Sequence, residues 1–412
     1  MGRSMLGRLC TAGPLVVALG CVGRGPGTDV PGDRGAGAGA PSVSDPAAAS
    51  PAALVADADR ALEEERAAEA VALYGRALAA DSLDDEVTRA ATLGLARAHE
   101  QLHDCAAVIR AYDAYLERFP AATDRAIVHA HRGACEAELG QWAASAASFA
   151  EVAAADAQLP STRVEALARQ GYALFNLDRF DDADAVLARA DGVFEQAQRD
   201  QSERFSTYYF VGMARFYRGA ILHRRFRDVT IVLPENVMAQ RFEQKLALLT
   251  AAQEAYNHAI KAKHMFWVSA AGFQLGNLFG EFYDALMYAP VPEWLDDKQR
   301  RTYYEELKKQ LRPVVDKAIW VLEKNLETAR RLGYESEFTA QTEVKLSHLQ
   351  RVLGSGEESL GQPHVRLAED LSEGAAGSRE ATTTPGIDRA PEPGAAGADR
   401  KLFIPPMAPL AP

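Results

Sequence analysis

Tyr74, Tyr112, Phe149 and Leu187 recur at intervals of 38, 37 and 38 residues, each inside an Ala-rich stretch with helical periodicity. Four residues before each stands Ala70, Val108, Ser145 or Ala183, and three residues after it Ala77, Tyr115, Val152 or Ala190. Positions three and four apart share one helix face, so a bulky residue between mostly smaller ones marks a face packed closely on another helix. Sixteen residues before each bulky position comes Ala58, Ala96, Gly133 or Gly171. All four are small, as two closely approaching helices require. A period of this length is the mark of a stacked helix-pair array.

Between the two helices of a unit the chain reads ELGQW around Gly140 and Trp142 and NLDRF around Asp178 and Phe180, and the second unit ends YLERFP at Pro120. These small, aromatic and terminal-proline positions resemble the tetratricopeptide repeat (TPR) over residues 52–195, with a generic antiparallel helix bundle as the competing fold. The period of 37 to 38 exceeds the usual 34, and the leading helix of the first unit is poor. The resemblance implies an all-α, TPR-like superhelix.

Beyond 195 the pattern loosens. YYFVGMARFY around Gly212 supplies a further first helix, and its partner is expected only at LTAAQEAYNHAI, where Ala252, Tyr256 and Ala259 restore the rhythm. The β-branched and proline-containing stretch near RDVTIVLPENVMAQ reads as a loop. A helix through FWVSAAGFQLGNLFG stops by Pro290. Another begins near Pro313, which suits a first turn better than a helix interior, and a last one runs from about Glu335 to Leu353. Residues 196–354 are thus expected to hold degenerate repeats and capping helices, and the whole ordered region to be all-α and roughly fourteen helices long.

The start of the chain has Arg3 and Arg8 around a polar opening, a short apolar run from Leu9 to Leu19, and Ala18-Leu19-Gly20-Cys21. This pattern reads as a secretory signal covering residues 1–20, too short to remain as a spanning helix. Ala-Leu-Gly-Cys resembles the bacterial lipobox, which implies lipidation of Cys21. The absence of Asp after it, with Val22 in that place, resembles lipoproteins of the outer membrane. Without Arg3 and Arg8, 43 basic residues face 57 acidic ones, a net charge near −14 that argues against nucleic acid.

Residues 22–51 are Gly, Ala, Pro, Ser and Asp rich and read as a flexible tether with a span of roughly 30 Å. Residues 355–412 read as a disordered tail. Its last stretch, Lys401 to Pro412 (KLFIPPMAPLAP), is apolar and proline-rich and could dock in an aromatic groove. Cys105 and Cys135 fall on neighbouring segments of the stack and could be bonded, or could be two small buried thiols.

His99-Glu100-Gln101-Leu102-His103 fits HExxH, in which two histidines on one helical face bind zinc. In repeat register His103 falls in a turn, so the string is expected to carry no site. There is no phosphate loop, CxxC or nucleophile elbow. No catalytic residue or cofactor is expected. A cell-wall hydrolase would need Glu138 and Glu165 across one cleft. Arg215, Arg218, Arg224, Arg225 and Arg227, interleaved with aromatics, could receive acidic protein segments or phosphorylated lipid headgroups, or simply form a solvated helix end and adjacent loop.

The inner face of a TPR array is built from its first helices. Offsets from the small residues place Arg97, Gln101, Glu138, Glu165, Tyr172, Phe175, Asn176, Tyr209, Met213, Phe216, Tyr217, Phe273 and Asn277 there. The face turns aromatic toward the C-terminal side. Either it is an open peptide groove or the terminal helices fill it and the rings are core. The Lys and Asn pattern of carboxylate-clamp TPRs is absent.

The C-terminal half resembles TPR lipoproteins of myxobacteria, including one of a gliding-motility envelope complex. YLERFP also resembles the barrel-assembly lipoprotein and the periplasmic TPR protein of the Tol system. These resemblances imply a non-catalytic, lipid-anchored scaffold at the periplasmic face of the outer membrane, binding envelope proteins.

Overall fold

A computed structural model describes residues 50–155 and 158–355. Cys21, the signal-like segment, the tether up to residue 49 and the tail beyond residue 355, including Lys401 to Pro412, lie outside the described residues.

Thirteen α-helices and no strand occur among the described residues. They are α1 (Pro51–Glu63), α2 (Ala67–Leu78), α3 (Asp85–Gln101), α4 (Cys105–Arg118), α5 (Arg125–Glu138), α6 (Trp142–Ala154), α7 (Pro160–Asn176), α8 (Phe180–Asp200), α9 (Tyr209–Asp228), α10 (Glu235–Ile260), α11 (Met265–Met287), α12 (Asp297–Arg331) and α13 (Glu337–Ser355). Six consecutive pairs are followed by one closing helix. Each helix packs on the next in the chain, and first helices also lie side by side, α7 on α9, α9 on α11 and α11 on α13. This is an all-α, TPR-like repeat array.

The turn within each of the first four pairs is the same device. Glu65, His103, Gly140 and Asp178 all have positive φ, between 55° and 71°. The next residue sends its N–H back to a carbonyl five residues earlier: Arg66 to Ala61 at 2.8 Å, Asp104 to His99 at 3.0 Å, Gln141 to Glu136 at 2.8 Å and Arg179 to Leu174 at 3.0 Å. A left-handed residue with this long return bond satisfies carbonyls that the helix end leaves open.

The leading helix α1, expected to be poor, forms fully. Ser50 caps it, its hydroxyl accepting from the Ala53 N–H at 3.2 Å, Pro51 occupies the first turn, and Leu54, Val55, Ala58 and Ala61 are buried as one stripe.

The small and bulky positions meet as their spacing requires. A Cβ on Gly133 would lie 3.1 Å from the Phe149 ring, and one on Gly171 would lie 2.5 Å from Leu187 Cγ. In the fifth pair the register differs from expectation: Gly219, not Gly212, faces Tyr256, while Gly212 abuts Trp267 of α11. Two further expectations are corrected. Helix α10 starts at Glu235, so only residues 229–234 form the loop. Helix α12 runs unbroken through Pro313. An interior proline costs about 3 kcal/mol, but Leu307, Leu311, Val314, Val315, Ala318 and Leu322 form one buried stripe on both sides of it. At roughly 1.5 to 3 kcal/mol per buried side chain, continuity of that stripe outweighs the proline.

The core is uneven along the array. Two small clusters serve α1 to α5, and one large cluster extends from α6 to α13. No described helix is long and apolar enough to cross a membrane.

Candidate partner-binding face

The first helices change character between α7 and α9. Arg97 and Gln101 on α3 and His131 and Glu138 on α5 are exposed, whereas no residue of 209–227 or 265–287 is. The sequence places all these helices on one face, but the second half of that face is covered.

The aromatic residues are therefore core or rim. Met213, Phe216 and Tyr217 are buried, and Tyr172, Phe175, Asn176, Tyr209, Phe273, Asn277 and Glu165 are partly buried. The rings form a chain across four helices, α6, α7, α9 and α11: Trp142 to Tyr172 at 5.4 Å, Tyr172 to Tyr217 at 5.0 Å, Phe175 to Tyr217 at 5.1 Å and Phe216 to Trp267 at 5.1 Å between centroids. At the far end Phe338 of α13 sits on Phe266 and Phe273, at 5.5 and 6.2 Å. The reading of these positions as an open groove is corrected. Offset and tilted pairs of this kind add to burial in cementing helices, and a sequence register cannot show that α13 returns to cover them.

The open part is polar. Glu100 accepts the Tyr112 hydroxyl at 2.9 Å and pairs with His131 Nδ1 at 3.0 Å, joining α3, α4 and α5. The Glu100 bond holds the His131 pKa above its ordinary value; burial would raise the Glu100 carboxyl, but His131 and Tyr112 outweigh it and keep it low. Gln101 reaches the Leu62 carbonyl at 3.4 Å and Glu138 accepts from the Cys105 thiol at 3.2 Å. Glu100 and His131 were not among the expected face residues. Their part in the HExxH-like string concealed the first, and an exposed lone histidine carries no signal in sequence.

The two cysteines are not bonded. Both are buried free thiols, with Cys105 between Cys135 and Glu138. Burial, then the Cys135 and Glu138 contacts, pushes the Cys105 thiol up, and burial does the same to Cys135. They are held protonated, as inert core thiols are.

Neither enzymatic arrangement is assembled. α3 ends at Gln101 and His103 lies past it in a left-handed turn, so the two histidines do not share a helical face. Glu138 is engaged by Cys105, and Glu165 by Arg169 at 2.9 Å.

The arginine run is an internal ladder. Across antiparallel α8 and α9, Arg225 pairs with Asp181, Arg218 with Asp184 at 2.9 Å and Arg215 with Asp191 at 2.7 Å. Arg227 makes a forked pair with Glu281 of α11, at 2.7 and 2.6 Å. His223 Nε2 lies 3.1 Å from the same carboxylate, so its Nδ1 accepts the Tyr256 hydroxyl at 3.2 Å. Buried Lys245 donates to the Phe226 and Val229 carbonyls at 2.7 and 3.1 Å and closes the end of α9. Burial brings its pKa down to about 8. These charges fasten helices to one another instead of facing a partner.

The chain matches no family model and no curated protein. Among solved structures it is similar to a TPR repeats protein from Bacteroides fragilis, at 13% identity over 63% of this chain and 98% of that one, with a TM-score of 0.30. It is also similar to yeast Tom70, at 11% identity over 79% of this chain and 84% of that one, with a TM-score of 0.27. At these scores the likenesses carry no weight, and the repeat architecture rests on the recurring turns and helix pairs described above.

Proposed function

We propose that the chain is a non-catalytic scaffold whose open polar face on α3 and α5 receives partner proteins, while the covered part formed by α9 and α11 acts as a rigid base. The observation that carries this is the exposure of Arg97, Gln101, His131 and Glu138 on consecutive first helices, whereas residues 209–227 of α9 and 265–287 of α11 include no exposed one. Exposed side chains on a face the fold leaves open are available for recognition. The lipobox-like Ala-Leu-Gly-Cys supports lipid attachment at Cys21 and a place at the periplasmic face of the outer membrane, with envelope proteins as partners. The resemblance of the C-terminal half to myxobacterial lipoproteins supports a motility or other trans-envelope complex. The YLERFP segment favours no particular pathway, since Tyr115 and Leu116 are buried and the Tyr115 hydroxyl caps Asp124 at 2.6 Å.

The test is photo-crosslinking in intact envelopes, with the probe at Arg97, Gln101 or Glu138 and, for comparison, at Glu327 on α12. Discrete adducts from the first three positions and none from the fourth are expected. Adducts only from α12 would overturn the assignment of the face. For the anchor, Cys21→Ser should abolish both fatty-acid labelling and membrane retention.

A further inference from the structure

We infer that Asp191, Glu195 and His258 form a binding site for a divalent transition ion, zinc being the ion their donor set suits. One ligand atom from each lies within 4.8 Å of the other two. Asp191 and Glu195 stand one turn apart on α8, so both carboxylates leave the same helix face, and His258 comes from α10. These are the second helices of consecutive pairs.

Asp191 sets the site. It is more than nine-tenths buried, and its Oδ1 takes the Arg215 Nε and Nη2 donors, each at 2.7 Å. Its Oδ2 faces His258 Nδ1 at 3.6 Å, beyond hydrogen-bond reach. A buried carboxylate oxygen aimed at a ring nitrogen, with no proton shared between them, is a separation suited to a shared ion. Two ligands of a tetrahedral zinc with bonds of about 2.0 to 2.1 Å lie about 3.4 Å apart, so Asp191 and His258 need only a small adjustment.

Arg215 stands where an outer partner of a ligating carboxylate would, holding Asp191 in one orientation. Its contact with Glu195, at 4.0 Å, and the contact of Arg199 with the other Glu195 oxygen, at 3.8 Å, are both beyond hydrogen-bond distance, so that carboxylate can turn to an ion. Glu195 and His258 are partly solvent-exposed, giving an entry path and room for water in the fourth position. An imidazole with two carboxylates favours zinc or its neighbours over magnesium, which prefers oxygen ligands and retained water. Bound there, the ion would tie α8 to α10 where the regular repeats meet the covered half. The 62 residues between Glu195 and His258 hide the site from any spacing motif.

The test uses the full chain, stripped with a chelator and titrated with zinc chloride by calorimetry, with melting followed in parallel. One zinc per chain and a rise in melting temperature reversed by chelator are expected, with no rise in magnesium chloride. His258→Ala and Glu195→Gln, at largely surface positions, should melt like the parent without zinc and lose at least about tenfold in zinc affinity. Absence of stoichiometric binding, or both variants binding as the parent does, would overturn the site and in the latter case place the ion on other histidines.

Discussion

Gly171 and Leu187, sixteen residues apart, lie so close that a Cβ on the glycine would fall 2.5 Å from Leu187 Cγ, a fully buried atom group. Gly171→Ala gains about 1 kcal/mol of helix propensity but overpacks this contact, and a net loss of roughly 1 to 2 kcal/mol is expected. Gly192 is the control. It lies inside α8 with nothing within 4 Å of its Cβ position, so Gly192→Ala should stabilise by up to about 1 kcal/mol. Chemical denaturation of both variants checks the pair of opposite signs.

Phe216 is 1% exposed and touches Tyr217, Tyr256 and Trp267. Phe216→Ala should cost about 3 to 5 kcal/mol of stability without changing partner affinity per folded molecule. A binding loss at unchanged melting temperature would contradict its place in the core.

Two rungs of the α8 to α9 ladder should differ widely. Arg215→Ala leaves Asp191, a buried carboxylate, unpaired, and a loss of about 3 to 5 kcal/mol is expected. Arg225→Ala breaks a pair whose Asp181 is almost fully exposed and should cost less than about 1 kcal/mol. Thermal melts of the two single variants measure the contrast.

Two histidines of α5 should give opposite pH dependence. His129 is buried with neither ring nitrogen bonded, and burial holds its pKa below the ordinary 6.5 or so. The unfolded chain therefore takes up the proton first. Stability is full above about pH 6.5 and falls as pH drops through the folded value, by at most about 1.4 kcal/mol per unit. His129→Phe should flatten this acid limb. His131 is the reverse, since its pKa is raised by Glu100. Its contribution is full below about pH 6.5 and fades as pH rises through the raised value, so His131→Gln should weaken the fold at pH 5.5 and leave it unchanged at pH 9. Melting curves across this range check both.

Much of the N-terminal fold was legible. Spacing alone located Gly133 opposite Phe149 and Gly171 opposite Leu187, and it placed His103 in a turn. These are local relationships: two helices joined by three or four residues can pack only if their facing positions fit, so each pair writes its constraint into a fixed separation. Even the left-handed residues Glu65, His103, Gly140 and Asp178 follow the repeat, although their identities differ and only the register reveals them.

What lay beyond one pair could not be read in that way. Whether Phe216 and Tyr217 met water or protein depended on Tyr256 of α10 and Trp267 of α11 packing against α9, contacts between residues 40 to 51 positions apart whose apolar faces look the same in either arrangement. The unbroken α12 was decided by a buried stripe stronger than the local preference of Pro313. The arginines of α9 read as a basic patch until the fold set Asp181, Asp184, Asp191 and Glu281 beside them. Sequence determined the repeat, its period and its turns, because those are short-range fits. Tertiary structure decided which part of the common face stayed open, because that depends on how much apolar area the last helices can bury on it.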